Sequence, residues 1–143
     1  METQNIILVC VIGYLIGSIH PSYLIGKLKG IDIREHGSKN AGAANITMSF
    51  GWVVGVFTGI LDMLKAVVAV HLAKYFITLE PFNLLAADSF NTLPFLAGAL
   101  AVIGHNYPFY MNFDGGKGTA SAIGIILGYD FYMGLLMIGV MIL

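Results

Sequence analysis

From Ile6 to Leu24, and again from Phe50 to Ala73, this chain is apolar for about the 20 residues that a helix needs to cross a bilayer core. Backbone groups in hydrocarbon have no water to bond, so a segment of that length must satisfy its own N–H and C=O groups as a helix. A third apolar run covers Leu93 to Ile103 and extends through Gly104 towards Phe109, bracketed by Pro94 and Pro108. A fourth begins near Thr119 and reaches Leu143, interrupted only by Asp130. The expected fold is all-α: a polytopic membrane helix bundle of about four spans, forming one integral-membrane domain over residues 1–143. Composition agrees, because only 10% of residues are charged and 57% are hydrophobic, against roughly a quarter charged in soluble domains.

Other classes are excluded on the same grounds. A net charge of −1 without a basic run gives nucleic acid nothing to bind. The single cysteine, Cys10, lies in an apolar run, which rules out an internal disulfide and a thiolate metal cluster. Glu2 stands where a signal peptide would carry basic residues, so no cleaved leader is expected.

Within the spans, Gly13 and Gly17 form a G-x-x-x-G pair suited to close helix packing. Ser18 and His20 mark the exit of the first span, next to Pro21. Gly51, Gly55, Gly59, Asp62 and Ala66 share one face of the second. Asp62 and Lys65 are costly at membrane depth, and their spacing lets them pair. Such a pair either locks helix packing or supports a polar loop from below. Lys74 to Asn91, with Glu80, Pro81, Asn83 and Asp88, reads as a solvent-side connector. Asp130 is either a buried pairing partner or the edge of the last span.

Two polar, glycine-rich stretches interrupt the apolar pattern. Gly30 to Asn45 carries Asp32, Arg34, Glu35, His36 and Lys39, with Gly37 and Gly42 able to bring backbone close to a ligand. Asp114-Gly115-Gly116-Lys117-Gly118 repeats that chemistry after two more apolar segments. With four spans both loops lie on one side, which holds Lys27, Lys29, Arg34, Lys39 and Lys117 against Lys74 alone on the other. The positive-inside rule then puts both loops in the cytoplasm and the amino terminus outside.

Glycine-rich backbone forms anion-binding nests. A helix starting at Thr119 would add its positive end, and Lys117 a mobile charge for a phosphate oxygen. Ser38 and Asn40 offer short hydrogen-bonding groups, and Asn45 can cap the next span or bind a ligand. His105 is either an interfacial histidine or a substrate ligand. The sum is a site for a phosphorylated, lipid-linked small molecule. The spacing is not that of a P-loop, no G-x-S-x-G elbow is present, and His36 and His105 are not placed as a metal pair. No metal or cofactor is expected.

In order along the chain, Gly17-Ser18-Ile19 before Pro21, Gly30-x-Asp32-x-Arg34, Gly37-Ser38-x-Asn40-x-Gly42-Ala43-x-Asn45, Asp62-x-x-Lys65, Gly104-His105-x-x-Pro108 and Gly115-Gly116-Lys117-Gly118 resemble the bacterial membrane family of acyl-phosphate-dependent glycerol-3-phosphate acyltransferases. The resemblance implies acyl transfer from a fatty acyl phosphate to the 1-hydroxyl of glycerol 3-phosphate, giving lysophosphatidate for phospholipid synthesis at the cell membrane. It assigns Ser38 and Lys117 to contact with substrate phosphate or hydroxyl. Asn40, Asn45 and the Gly115, Gly116 and Gly118 amides would shape an anion hole, with Gly37, Gly42 and His105 beside it.

Departures from the family pattern fall in the same loops. Lys39 replaces the second glycine of Gly-Ser-Gly-Asn, Ala44 a usual threonine, and Met48 an arginine, while Asp114 stands where a basic residue is common. The family also implies about seven spans and a third polar motif near the carboxy end. This chain reaches Leu143 without one. The expectation is a truncated or divergent member, with a second chain as one source of the missing helices. Other functions consistent with the sequence are a non-catalytic binding or scaffold protein and a small transporter component.

Overall fold

A computed structural model of the chain describes residues 2–78 and 87–142, with side-chain surroundings for 6–76 and 92–140. Seven α-helices follow one another there: α1 (Glu2–Ser18), α2 (Pro21–Leu28), α3 (Ala43–Phe50), α4 (Trp52–Thr78), α5 (Ala87–Asn106), α6 (Thr119–Tyr129) and α7 (Phe131–Ile142). No strand occurs among the described residues.

The first span breaks at its polar exit. His20 is extended (φ −115°, ψ 94°), and Pro21 opens α2 at a position where its missing N–H costs nothing. Together the two helices run from Ile6 to Leu28 with enough length and hydropathy to cross a membrane, as does Trp52–Phe76 within α4. The residues beginning at Thr119 are divided at Asp130, which is extended and caps α6, so α6 and α7 are two short apolar helices rather than one straight one. Lys74 belongs to α4 rather than to a connector. Its Nζ donates to Gly128 O (2.9 Å) and lies 4.8 Å from the Tyr129 ring centroid. Glu80, Pro81 and Asn83 fall outside the described residues.

The helices are apolar outwards and small or polar inwards. Val53, Phe57, Ile60, Leu64 and Val68 form an exposed stripe on α4, whereas Thr58, Asp62, Lys65, Ala66, Ala69 and Ala73 are buried. Water would favour the reverse arrangement; lipid-facing helices pack this way because small residues let backbones approach. Helices α1 and α5 approach closely along a seam of glycines. A Cβ on Gly13 would overlap Ala97 O, one on Gly17 would overlap Ala101 O, and one on Gly104 would overlap Tyr14 O. The glycine face of α4 receives α3 in the same manner, with a Cβ on Gly55 overlapping Thr47 Oγ1. A separate apolar cluster fastens the polar loops: Ile33, Ala41 and Ile46 pack with Met111, backed by Tyr23, Phe50 and Val54.

Candidate active site

The loop after α2 turns at Gly30, whose φ of +79° is left-handed. Asp32 then caps a short 3-10 turn, Ile33–Glu35, by accepting from Arg34 N (3.0 Å). The Arg34 guanidinium grips the same carboxylate through Nε (3.0 Å) and Nη2 (2.9 Å), and its Nη1 donates to Met111 O (2.8 Å) in the second loop. Asn45 is fully buried inside α3, and Gly42 is the N-cap. The Asn45 side chain accepts from Ser38 N (2.7 Å) and donates to Ile33 O (2.7 Å), so it braces the loop instead of capping a span. Gly37 is left-handed (φ +56°), and a Cβ there would overlap Asn45 Oδ1. Lys39 is left-handed too (φ +57°), a backbone that glycine adopts without strain.

Arg34 beside Asp32 holds that carboxyl well below the usual carboxylate range. A depressed folded-state pKa means stability present above the unfolded value, about 3.9, and lost as pH falls below it. Loop amides 31–42 should therefore keep their hydrogen-exchange protection from pH 7 to 5 and lose it on further acidification. Arg34→Gln should raise exchange about tenfold at neutral pH and flatten that acid dependence.

The second loop folds back on the end of α5. Gly115 N donates to Asn106 O (3.1 Å) and Gly116 N to His105 O (3.0 Å). These amides are thus engaged within the chain, a correction to the expectation that they face an anion. Ala41 N donates to Gly115 O (3.4 Å), which joins the two loops directly. Gly118, left-handed at φ +72°, is the N-cap of α6.

Between the loops lies a cavity of about 610 Å³. Asn40, Gly42, Ala43 and Ala44 line it from the first loop and α3; His105, Lys117, Gly118 and Thr119 line it from the second loop and its flanking helices. Val56, Ile60, Ile123 and Ile138 supply an apolar wall. Both α3 and α6 begin at this cavity, and neither N-terminus carries a side-chain cap. First-turn amides of a helix have no intrahelical acceptor, so two positive helix ends converge here. Of the expected site residues, Asn40, Gly42, His105, Lys117 and Gly118 line the cavity. Gly37 and Ser38 are exposed on the adjoining loop, while Asn45 and Gly115 are buried behind it.

Asp62 and His105, both in the cavity wall, belong to a buried polar cluster. Lys65 Nζ donates to Ile19 O (2.8 Å), lies 2.7 Å from His105 Nδ1, and is 2.9 Å from Asp62 Oδ1. The Asp62 contact is close but poorly aligned for a hydrogen bond, so it acts as a charge contact. His20 Nε2 donates to His105 O (2.7 Å), and the two imidazoles pack with centroids 4.4 Å apart and planes tilted by 33°.

A sequence profile described as glycerol-3-phosphate acyltransferase matches residues 7–143. The chain belongs to the glycerol-3-phosphate acyltransferase family. It is 40% identical over 137 residues to glycerol-3-phosphate acyltransferase 1 of Oceanobacillus iheyensis, covering 96% of this chain and 65% of that protein. It is 36% identical over 144 residues to the Clostridioides difficile glycerol-3-phosphate acyltransferase, covering 68% of that one. Crystal structures of PlsY (YgiH), an integral membrane glycerol 3-phosphate acyltransferase, share the fold. The glycerol 3-phosphate form superposes with a TM-score of 0.73 at 33% identity, over 92% of this chain and 60% of that one. The lysophosphatidic acid form gives 0.71 at 32%. The chain thus spans about 60% of the solved family members' length and 65% of the first relative's.

Family membership gives the departures a setting. Lys39 occupies a left-handed position where the resemblance leads one to expect glycine, and Ala44 puts a methyl on the cavity wall in place of a hydroxyl. Met48 is 72% exposed, and Arg34, held by Asp32 and Met111, is not free to replace a guanidinium there. Sequence reasoning gave Met111 no role, placed His20 only at the exit of the first span, and used Arg34 only as a loop charge and a motif residue. A signal for His20 was available in its place beside Pro21, within a polar patch that ends an apolar run.

Proposed function

We propose that this chain carries an acyl-phosphate-dependent glycerol-3-phosphate acyltransferase site, forming lysophosphatidate at the cytoplasmic face of the cell membrane. The supporting observation is the convergence of two uncapped helix N-termini with Lys117 on one cavity that has an apolar wall. Such a place suits a phosphate at one end and an acyl chain at the other. Lys117, Asn40 and the first-turn amides of α3 and α6 would bind phosphate, with Ser38 on the neighbouring loop contacting substrate phosphate or hydroxyl. In the reaction the 1-hydroxyl oxygen of glycerol 3-phosphate bonds to the acyl carbonyl carbon as the bond to the phosphate oxygen breaks. Inorganic phosphate departs, taking the hydroxyl proton. Because the leaving group is already activated, positioning and charge stabilisation do most of the catalysis. The excess of lysine and arginine in the two loops supports the cytoplasmic placement, and residues 1–143 act as one membrane domain in this reading.

The test is acyl-phosphate-dependent conversion of labelled glycerol 3-phosphate to lysophosphatidate by the purified chain in lipid. Turnover should fall about a hundredfold in Lys117→Ala, the scale of losing one preorganised charge-stabilising group. Folded protein that neither turns over nor binds glycerol 3-phosphate would overturn the reading.

A further inference from the structure

We propose that Lys65 is a positioning residue that fixes His105, a residue of the cavity wall, as its Nε2–H tautomer, so that the ring carries its hydrogen-bond donor on the nitrogen beside Gly116. A lysine ammonium has hydrogens and no acceptor. At 2.7 Å from Lys65 Nζ, His105 Nδ1 must take the accepting role. A hydrogen on Nδ1 would set two donors against each other. The competing partner, Asp62 Oδ1, is 3.4 Å from Nδ1, beyond a good hydrogen bond. The ring hydrogen therefore belongs on Nε2.

The surroundings fix where that hydrogen points. The His20 ring packs against the His105 ring at a tilt and donates to the His105 carbonyl, and Gly116 N donates to the same carbonyl. A Cβ on Gly116 would overlap Nε2, so the imidazole edge abuts the second loop at a residue without a side chain. His105 also lines the cavity with Lys117 and Asp62, and Nε2 has no hydrogen-bond partner among the described residues. The charged and titratable groups facing the ring are thus Asp62 and Lys65 of α4, His20 between α1 and α2, and Lys117 of the second loop. Lys65 itself is buried, with its side chain 6% exposed, and does not line the cavity; it acts through the histidine. A ligand with an acceptor oxygen, phosphate or carbonyl, is what an Nε2–H donor would recognise. That activity consequence rests on the acyltransferase reading, whereas the tautomer does not.

The test uses the whole chain in lipid nanodiscs with ring-15N-labelled histidine, and His105 signals assigned by their loss in His105→Asn. In the unsubstituted protein Nε2 should resonate as protonated and Nδ1 as an unprotonated acceptor. Protonated Nδ1 there would overturn the proposal without any variant having to fold. In Lys65→Met, folded as judged by circular dichroism, the hydrogen should move towards Nδ1 and Asp62, whereas Lys65→Arg should keep the native pattern. An unchanged tautomer in folded Lys65→Met would also overturn it. With turnover as a second readout, Lys65→Met should lose about tenfold or more in kcat, the worth of one hydrogen bond to a charged group, and Lys65→Arg should recover part of it. A native tautomer in a chain without turnover would count against the acyltransferase reading and leave the lysine's role standing.

Discussion

Gly17→Ala should leave little folded protein. The added methyl would lie 2.5 Å from both the Cα and the carbonyl carbon of Ala101 and overlap its oxygen. Those atoms are helix backbone and cannot rotate aside. The only relief is separation of α1 from α5, and that opens the rest of their seam: Gly13 against Ala97 and Gly104 against Tyr14 depend on the same spacing. Overpacking of this kind costs about 1–3 kcal/mol and occasionally more, and the absence of any flexible neighbour puts Gly17→Ala at or above the upper end. Thermal unfolding in detergent micelles, followed by circular dichroism, measures it. Gly139→Ala is the matched control, because nothing lies within 4 Å of a Cβ there and alanine is the better helix former. Its melting temperature should be unchanged or higher. Equal loss in both variants would mean that the α1–α5 seam is not the tight contact described. The consequence reaches the site, since Ile19 O and Ser18 O, at the end of α1, accept from Lys65 and Tyr110.

That seam was readable in the sequence because G-x-x-x-G is a spacing, and spacings survive translation into helices. The same holds for Asp62 and Lys65, whose pairing needs only one helix. The loops were legible as chemistry but not as geometry. Gly115 and Gly116 look like free amide donors until the chain folds back onto His105 and Asn106. Asn45 looks like a cap until Ser38 and Ile33 are found on either side of it. Arg34 reads as one more loop charge, yet its partner Met111 is far along the chain, and no local pattern connects an arginine to a distant carbonyl. The unreadable part is therefore tertiary: contacts between loops that two different helix pairs bring together. Breaks inside spans were half visible, as Pro21 and Asp130 marked where helices end but not how the chain continues.

Asp62→Leu should destabilise the chain strongly. It leaves the Lys65 ammonium, with its side chain 6% exposed, facing only Ile19 O and His105 Nδ1. Breaking a buried ion pair by removing one partner costs about 3–5 kcal/mol, since the remaining charge has lost its compensation. The double variant Asp62→Leu/Lys65→Met removes both charges and fills similar volume, and such replacements are often neutral or stabilising. A double-mutant cycle in micelles should accordingly show the double variant more stable than Asp62→Leu alone, and within about 1 kcal/mol of the original chain. Stability and function then separate. If the pair exists only to lock α4 into the bundle, the double variant should be as active as the unsubstituted chain. If Lys65 serves His105, the refolded double variant should stay impaired, because a methionine thioether gives the imidazole no ammonium to accept from. Restored stability with restored turnover would assign the pair to packing alone; restored stability without turnover would assign it to the site.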